Sequence, residues 1–283
     1  ELASVKLELA EYLKHVDPNE LPSDVEFFTK LNRHLLSSSL SSQPDARIVR
    51  TLRDDFGSAG IADLTESLAG RHGALLFALT PMDNQYEVAR LLSAEQRKIA
   101  TQQLLLSNRM ESSETAYLFD VLTAIKTGQA IPPAPPELPI TDRGPEFDAA
   151  TALCVLLPHL ESEVRSSLFE SAISRFNGTF PMWYSGIIFP DMLLKLSSEN
   201  RSNIFLNVGL PSLAGWLSMQ SADSQRRLLA EVPTSLQVAI GTSQEFSSRA
   251  HQLILAQKGR EELRAALEME LSREKLSLKA LLL

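Results

Sequence analysis

Between Gly128 and Pro145 the chain carries six prolines, at positions 132, 133, 135, 136, 139 and 145. Each fixes φ and lacks a backbone N–H, so no helix can run through the segment. The stretch Gly128-Gln-Ala-Ile-Pro-Pro-Ala-Pro-Pro-Glu-Leu-Pro139, continuing to Asp142-Arg-Gly-Pro145, therefore reads as a stiff spacer. It predicts an N-terminal helical domain over 1–127, a linker over 128–148, a second helical domain over 149–243 and a long helix over 244–283. The same prolines satisfy loose PxxP spacing and could present a polyproline II ligand to an aromatic groove, though without the usual flanking basic residue. A second break is read at Ser37-Ser-Ser-Leu-Ser-Ser-Gln-Pro44.

The segments on either side are expected to be all-α. Leu, Ala, Ser, Glu and Gln dominate them, and the 12 glycines in 283 residues are too few for glycine-rich phosphate loops or the turns of an all-β fold. A formal charge of −8 argues against a grip on a nucleic-acid backbone. One cysteine excludes an intramolecular disulfide and a cysteine-based zinc site, and favours a reducing compartment.

Apolar residues recur at helical spacing. Leu2, Val5, Leu9, Leu13 and Val16 form one stripe, and Tyr117, Leu118, Val121, Leu122 and Ile125 another that stops at Gly128 as a C-terminal cap. Four segments share a local grammar of apolar stop, serine, acid and arginine: Leu91-Leu-Ser-Ala-Glu-Gln-Arg97, Leu160-Glu-Ser-Glu-Val-Arg165, Leu196-Ser-Ser-Glu-Asn-Arg201 and Met219-Gln-Ser-Ala-Asp-Ser-Gln-Arg226. A serine hydroxyl satisfies the orphan N–H groups of a starting helix and an acid in the first turn complements its dipole, so each segment reads as a tight turn between helices. The expected pairs are 73–80 into 93–106, 150–157 into 161–176, 191–196 into 199–208 and 211–219 into 222–231. Such short helices stack on neighbours, in the manner of armadillo-type repeats, although ordinary capping in a leucine-rich helical protein reads the same way.

Catalytic motifs are missing. No two of the five histidines stand three or four apart, and no nucleophile elbow, P-loop or dinucleotide fingerprint occurs. Asp55-Phe-Gly57 matches a kinase magnesium motif without its companions and reads as a helix end. Cys154, inside an apolar run, reads as a small packed hydrophobe. Asn177-Gly-Thr179 is a glycosylation sequon and equally a turn. The chain is expected to be no enzyme, with no cofactor, metal or small-molecule substrate.

The densest unusual segment is Phe176–Pro190, which gathers Phe180, Met182, Trp183, Tyr184 and Phe189 between prolines. Aromatics and methionine are enriched at protein contacts, so these five are candidate partner-binding residues. The alternative is that the segment closes the core between two helical layers. The C-terminal helix, with Leu253, Leu263, Leu267, Leu271 and Leu278 on a stripe, reads as a coiled-coil or connector helix bent at Gly259. No apolar run is long enough to span a membrane. The chain opens on Glu1 without methionine and stops inside a helical run, which reads as a piece of a longer protein, placed in the cytoplasm with the inner face of the membrane left open.

The segment Gly70-Arg-His-Gly-Ala-Leu-Leu-Phe-Ala-Leu-Thr-Pro-Met-Asp83, followed by Tyr86–Ala100, resembles the middle domain of the flagellar rotor switch protein FliG, and more distantly the N-terminal domain of the magnesium transporter MgtE. His72 matches the family histidine and Leu92-Ser-Ala-Glu-Gln-Arg97 its step between helices, while Gly73 and Ala74 replace the Pro-Gln of the family's partner surface. The resemblance implies a non-catalytic helical scaffold binding protein partners, copies of itself or components of a motor or envelope-associated assembly, with His72 among the contacts. The MgtE likeness implies the alternative, a regulatory ion-sensing domain of a membrane protein.

Overall fold

A computed structural model describes residues 44–283 except 69, 136–143, 231, 246–248 and 275–276. The first helix read over 2–16 and the break read from Ser37 lie outside the described residues. The chain divides into a unit over Glu1–Arg47 and one over Ile48–Leu283. The second unit begins within the first described helix and carries every later one.

The described residues are all-α: fifteen α-helices and two short 3-10 turns, with a single isolated bridge in place of any strand. In chain order they are α1 (Pro44–Asp55), α2 (Ser58–Ser67), α3 (Gly70–Leu79), α4 (Met82–Leu91), α5 (Ala94–Leu106), α6 (Ser112–Thr127), α7 (Ala149–Leu156), α8 (Ser162–Arg175), α9 (Pro190–Leu194), α10 (Ser198–Leu206), α11 (Leu210–Ser218), α12 (Ala222–Leu229), α13 (Thr234–Glu245), α14 (Arg249–Glu274) and α15 (Leu278–Leu282). The 3-10 turns are Leu157–His159 and Met182–Gly186. Three of the four expected helix pairs appear; in the first, α4 intervenes between the two helices read from the sequence. Its start is a proline N-cap with Asp83 in the first turn, a weaker signal than the serine steps.

One core runs through this second unit. Helix α3 is buried on nearly every face, and α5 packs between α3 on one side and α7 and α8 on the other. Helices from before and after the proline-rich segment thus share one interior, and the segment joins parts of one compact body instead of separating two domains. Its far end is stitched down: Met110 N–H donates to Pro145 O at 3.0 Å and Phe147 N–H to Asn108 O at 2.8 Å. Gly144, at φ 97, lies so close to the Met110 carbonyl that any Cβ there would overlap it.

Three of the four serine steps form as their chemistry dictates; in the second, Glu161 stands at the N-cap without a side-chain cap bond and Ser162 is the first residue of α8. Ser93, Ser197 and Ser221 each accept the backbone N–H three residues on, at 3.1 to 3.2 Å. A second contact recurs four residues after each cap. Arg97 Nη1 returns to Ala89 O at 3.1 Å, Arg165 Nη1 to Leu160 O at 2.7 Å and Arg201 Nη2 to Leu196 O at 2.9 Å. Gln225 Nε2 does the same to Gln220 O at 3.1 Å and Gln237 Nε2 to Val232 O at 2.7 Å. The returning side chain satisfies carbonyls orphaned where the preceding helix ends. In the fourth step the returning residue is Gln225, one before the arginine of the shared pattern.

The C-terminal helix is neither a free connector nor a coiled-coil arm. The single helix expected over 244–283 is divided: α13 ends at Glu245, α14 covers Arg249–Glu274, and Ser277 caps a separate α15. Helix α14 packs along α11 and α10 and buries Ala256, Leu263, Ala266 and Leu267. Gly259 serves a close crossing with α11.

Candidate functional site

The six residues singled out in the sequence fall into two groups. His72 is 6% exposed in α3, its ring edge-on to Tyr117 at 4.6 Å. Phe189 is buried beneath the Arg165 guanidinium, 5.4 Å from its ring centre. Tyr184 is fully buried, and its hydroxyl donates to Leu105 O at 2.6 Å. None of these three can touch a partner without unfolding the site. Phe180 and Trp183 are half-buried, and Met182 is 93% exposed.

The physical reason is the 3-10 turn over 182–186. Pro181 presets its start, and a turn of three residues per revolution throws Tyr184 inward while Met182 points out. Tyr184 then becomes the hub of an aromatic cluster, with Trp183 at 4.5 Å, Phe180 at 5.4 Å, Phe169 at 6.1 Å and Phe176 at 6.3 Å between ring centres, mostly edge-to-face. Burial pushes the Tyr184 phenol well above its ordinary pKa, so it stays a hydrogen-bond donor throughout the physiological range. Replacing Tyr184 by phenylalanine should cost about 1–2 kcal/mol, because Leu105 O is left without its donor in a buried site. Chemical denaturation of the variant reads this directly.

Outside this hub lies a cleft of about 1010 Å³. Its floor and walls come from the end of α5, the residues before α7, the turn after α8 and one face of α14, with Phe180, Met182 and Trp183 on its rim. Four arginines face three carboxylates across it. Arg109 Nη2 pairs with Glu146 at 2.6 Å, Arg260 Nη2 with Asp148 at 3.6 Å, and Arg264 Nε with Glu268, just outside, at 3.0 Å. Asp148 also caps α7, accepting Thr151 N–H at 2.9 Å, so Arg260 ties α14 to the start of α7. The turn after α8 closes through Asn177 at φ 54 and Gly178 at φ 80, which makes the sequon a left-handed turn at the rim.

The cleft's hydroxyls are engaged by backbone carbonyls: Ser185 with Met182 O at 2.9 Å, Thr179 with Phe176 O at 2.7 Å and Ser107 with Arg109 O at 3.4 Å. No histidine is among its described lining residues. Cys154 packs behind it, its thiol donating to Gly186 O at 3.6 Å and accepting Ile188 N–H at 3.1 Å, and burial pushes its pKa up. Among the described residues no group of three or more His, Cys, Asp and Glu side chains could hold a metal ion, and no helix is long and apolar enough to cross a membrane.

The aromatic segment stands out in the sequence, and the cleft beside it does not. The arginines and carboxylates that line it come from four separated stretches, and no local spacing links them. No family model and no curated protein matches the chain.

Proposed function

We propose that the chain is a non-catalytic helical scaffold that docks a protein partner along the 180–183 rim of the cleft. The observation that carries this reading is Met182, 93% exposed beside the half-buried Phe180 and Trp183, while Tyr184 two residues on is sunk in the core. A methionine held out in water by a short rigid turn gains by burial only against another surface. The charged walls supply the polar border that protein contacts use around an apolar centre.

The proposal extends to the FliG-like reading: a cytoplasmic component, or self-associating unit, of a motor or envelope-associated assembly. Its support is the resemblance over Gly70–Ala100 and the run of short capped helices. Because His72 is buried, the contact moves from the family's histidine to the aromatic rim. No observation favours the ion-sensing alternative.

Affinity capture of the intact protein from its own cells, alongside sedimentation for self-association, tests the reading with Met182→Glu and Trp183→Ala. A partner or self-complex should be lost by about tenfold or more, with helical circular dichroism unchanged. Undiminished recovery with both variants sinks the proposal.

A further inference from the structure

A second, much smaller cavity of about 50 Å³ lies where α4, α7, the 157–159 turn and the α11–α12 turn meet. Tyr86, Arg90, Cys154 and His159 are among its lining residues, and no carboxylate is. In a chain with 35 acidic residues against 27 lysines and arginines, that is a local reversal of sign. The large cleft shows the contrast, since Arg109 and Arg260 meet Glu146 and Asp148 within it and Arg264 meets Glu268 just outside. Arg90 and His159 form no ion pair among the described residues.

A third cation stands behind them. Arg97 Nη1 caps Ala89 O at 3.1 Å, and its Nε–H is buried without a hydrogen-bond partner among the described residues. Burial first, then Arg97 and Arg90, hold His159 below its ordinary pKa. Positive groups are thus crowded around a pocket with nothing to neutralise them, an arrangement that an incoming anion would relieve.

We propose that this cavity binds one tetrahedral oxyanion of phosphate size, with Arg90 and His159 as its charged ligands and the Tyr86 hydroxyl as a further donor. The volume sets the class. Drug-sized ligands need roughly 300 Å³ or more, so only an ion or the phosphoryl end of a larger group can enter. The site lies on other elements than the aromatic rim and does not depend on the docking proposal.

Binding must be linked to the charge of His159. The groups facing it are Tyr86 and Arg90 from α4, Arg97 from α5 and Cys154 from α7, while the α11–α12 turn adds Gln220 and Ser221, which do not titrate. Of these, His159 is the one whose ordinary titration falls between pH 5 and 8. The anion favours the imidazolium, so it raises the His159 pKa, and affinity increases as pH falls through that value.

The test uses the intact chain with inorganic phosphate, against chloride at matched ionic strength. Phosphate at ten times its Kd should raise Tm by about 3 °C. It should also move the NMR titration of the His159 ring to higher pH. Arg90 is exposed, so Arg90→Gln should fold as the parent does and bind phosphate about tenfold or more weakly. His159→Gln should remove the rise in affinity at falling pH and leave only the dependence set by the second ionisation of phosphate itself. O-phosphoserine, run in parallel, separates the sources: tighter binding of the ester assigns the pocket to a phosphorylated group, and tighter binding of the free ion assigns it to phosphate itself. No rise in Tm and no movement of the His159 titration at millimolar phosphate, or an equal response in Arg90→Gln, overturns the proposal.

Discussion

Replacing Gly259 by alanine should destabilise the protein by about 3 kcal/mol, at the upper end of what forced overpacking usually costs. Helices α11 and α14 cross there with their backbones almost touching. A methyl on Gly259 would overlap the Ser212 carbonyl oxygen and come within 2.8 Å of its carbon and 3.0 Å of Trp216 Cβ. The partner helix answers with Gly215, where a methyl would stand 2.5 Å from Leu255 Cβ and 2.9 Å from Ala256 N. The obstacles are backbone, so no rotamer change clears them, and the helices must separate along a contact that buries Trp216, Leu213 and Leu263. In a unit of this size about 3 kcal/mol lowers Tm by roughly 6–12 °C. Gly241 is the internal control. Its added methyl meets nothing within 4 Å among the described residues, so alanine there should stabilise by about 0.5–1 kcal/mol through helix propensity alone. Because Gly215 and Gly259 guard one crossing, the double substitution should cost less than the sum of the singles. Equal and small effects at Gly259 and Gly241 would show that the crossing is looser than these distances require.

That crossing illustrates what the sequence could not disclose. Gly259 inside a leucine-striped helix reads in the sequence as a bend, because the residue that makes it a close approach, Gly215, lies 44 positions away on another helix. Helix positions were legible wherever a local group must be satisfied. A serine with an acid two residues later marks an N-cap, and Ser93, Ser197 and Ser221 all serve as one. The returning side chain was half legible: an arginine was visible in each step, but the geometry takes the residue four after the cap, whether arginine or glutamine. The step at Val232–Gln237 has proline in place of serine and passed unseen, although Gln237 carries the same bond. Among the aromatic candidates composition alone could not separate rim from core. Met182 and Tyr184 differ by two positions, and only the 3-10 geometry turns one outward and the other inward.

The second large effect is expected at Arg71, a residue with no catalytic or binding look in the sequence. Its side chain is 10% exposed and pairs through Nε with Glu114 at 3.2 Å. Nη1 donates to Gln103 O at 3.2 Å, and Nη2 to Arg109 O. The guanidinium also lies over Phe147 at 5.9 Å. Burial lowers its pKa and Glu114 works against that loss, and a guanidinium keeps its charge across the physiological range. Glu114 in turn closes the capping box of α6 by accepting Glu111 N–H at 2.8 Å. One cation thus fastens α3 to the end of α5, to the 107–111 loop and to the start of α6. Arg71→Met keeps the length and removes the charge, leaving Glu114 and the carbonyls without their donor. The expected cost is about 3–5 kcal/mol, as for other broken buried pairs. The loss should also reach the cleft, because Arg109, held by Arg71 through its carbonyl, supplies both the bridge to Glu146 and one wall. Lysine at position 71 restores charge without the planar fork and should recover only part of the stability. Hydrogen exchange makes the result specific: in Arg71→Met the amides of Met110 and Phe147, bonded across the loop, should lose protection well beyond the change in global stability. Uniform loss across α11–α14 as well would mean that Arg71 supports the core as a whole and does not latch the cleft wall.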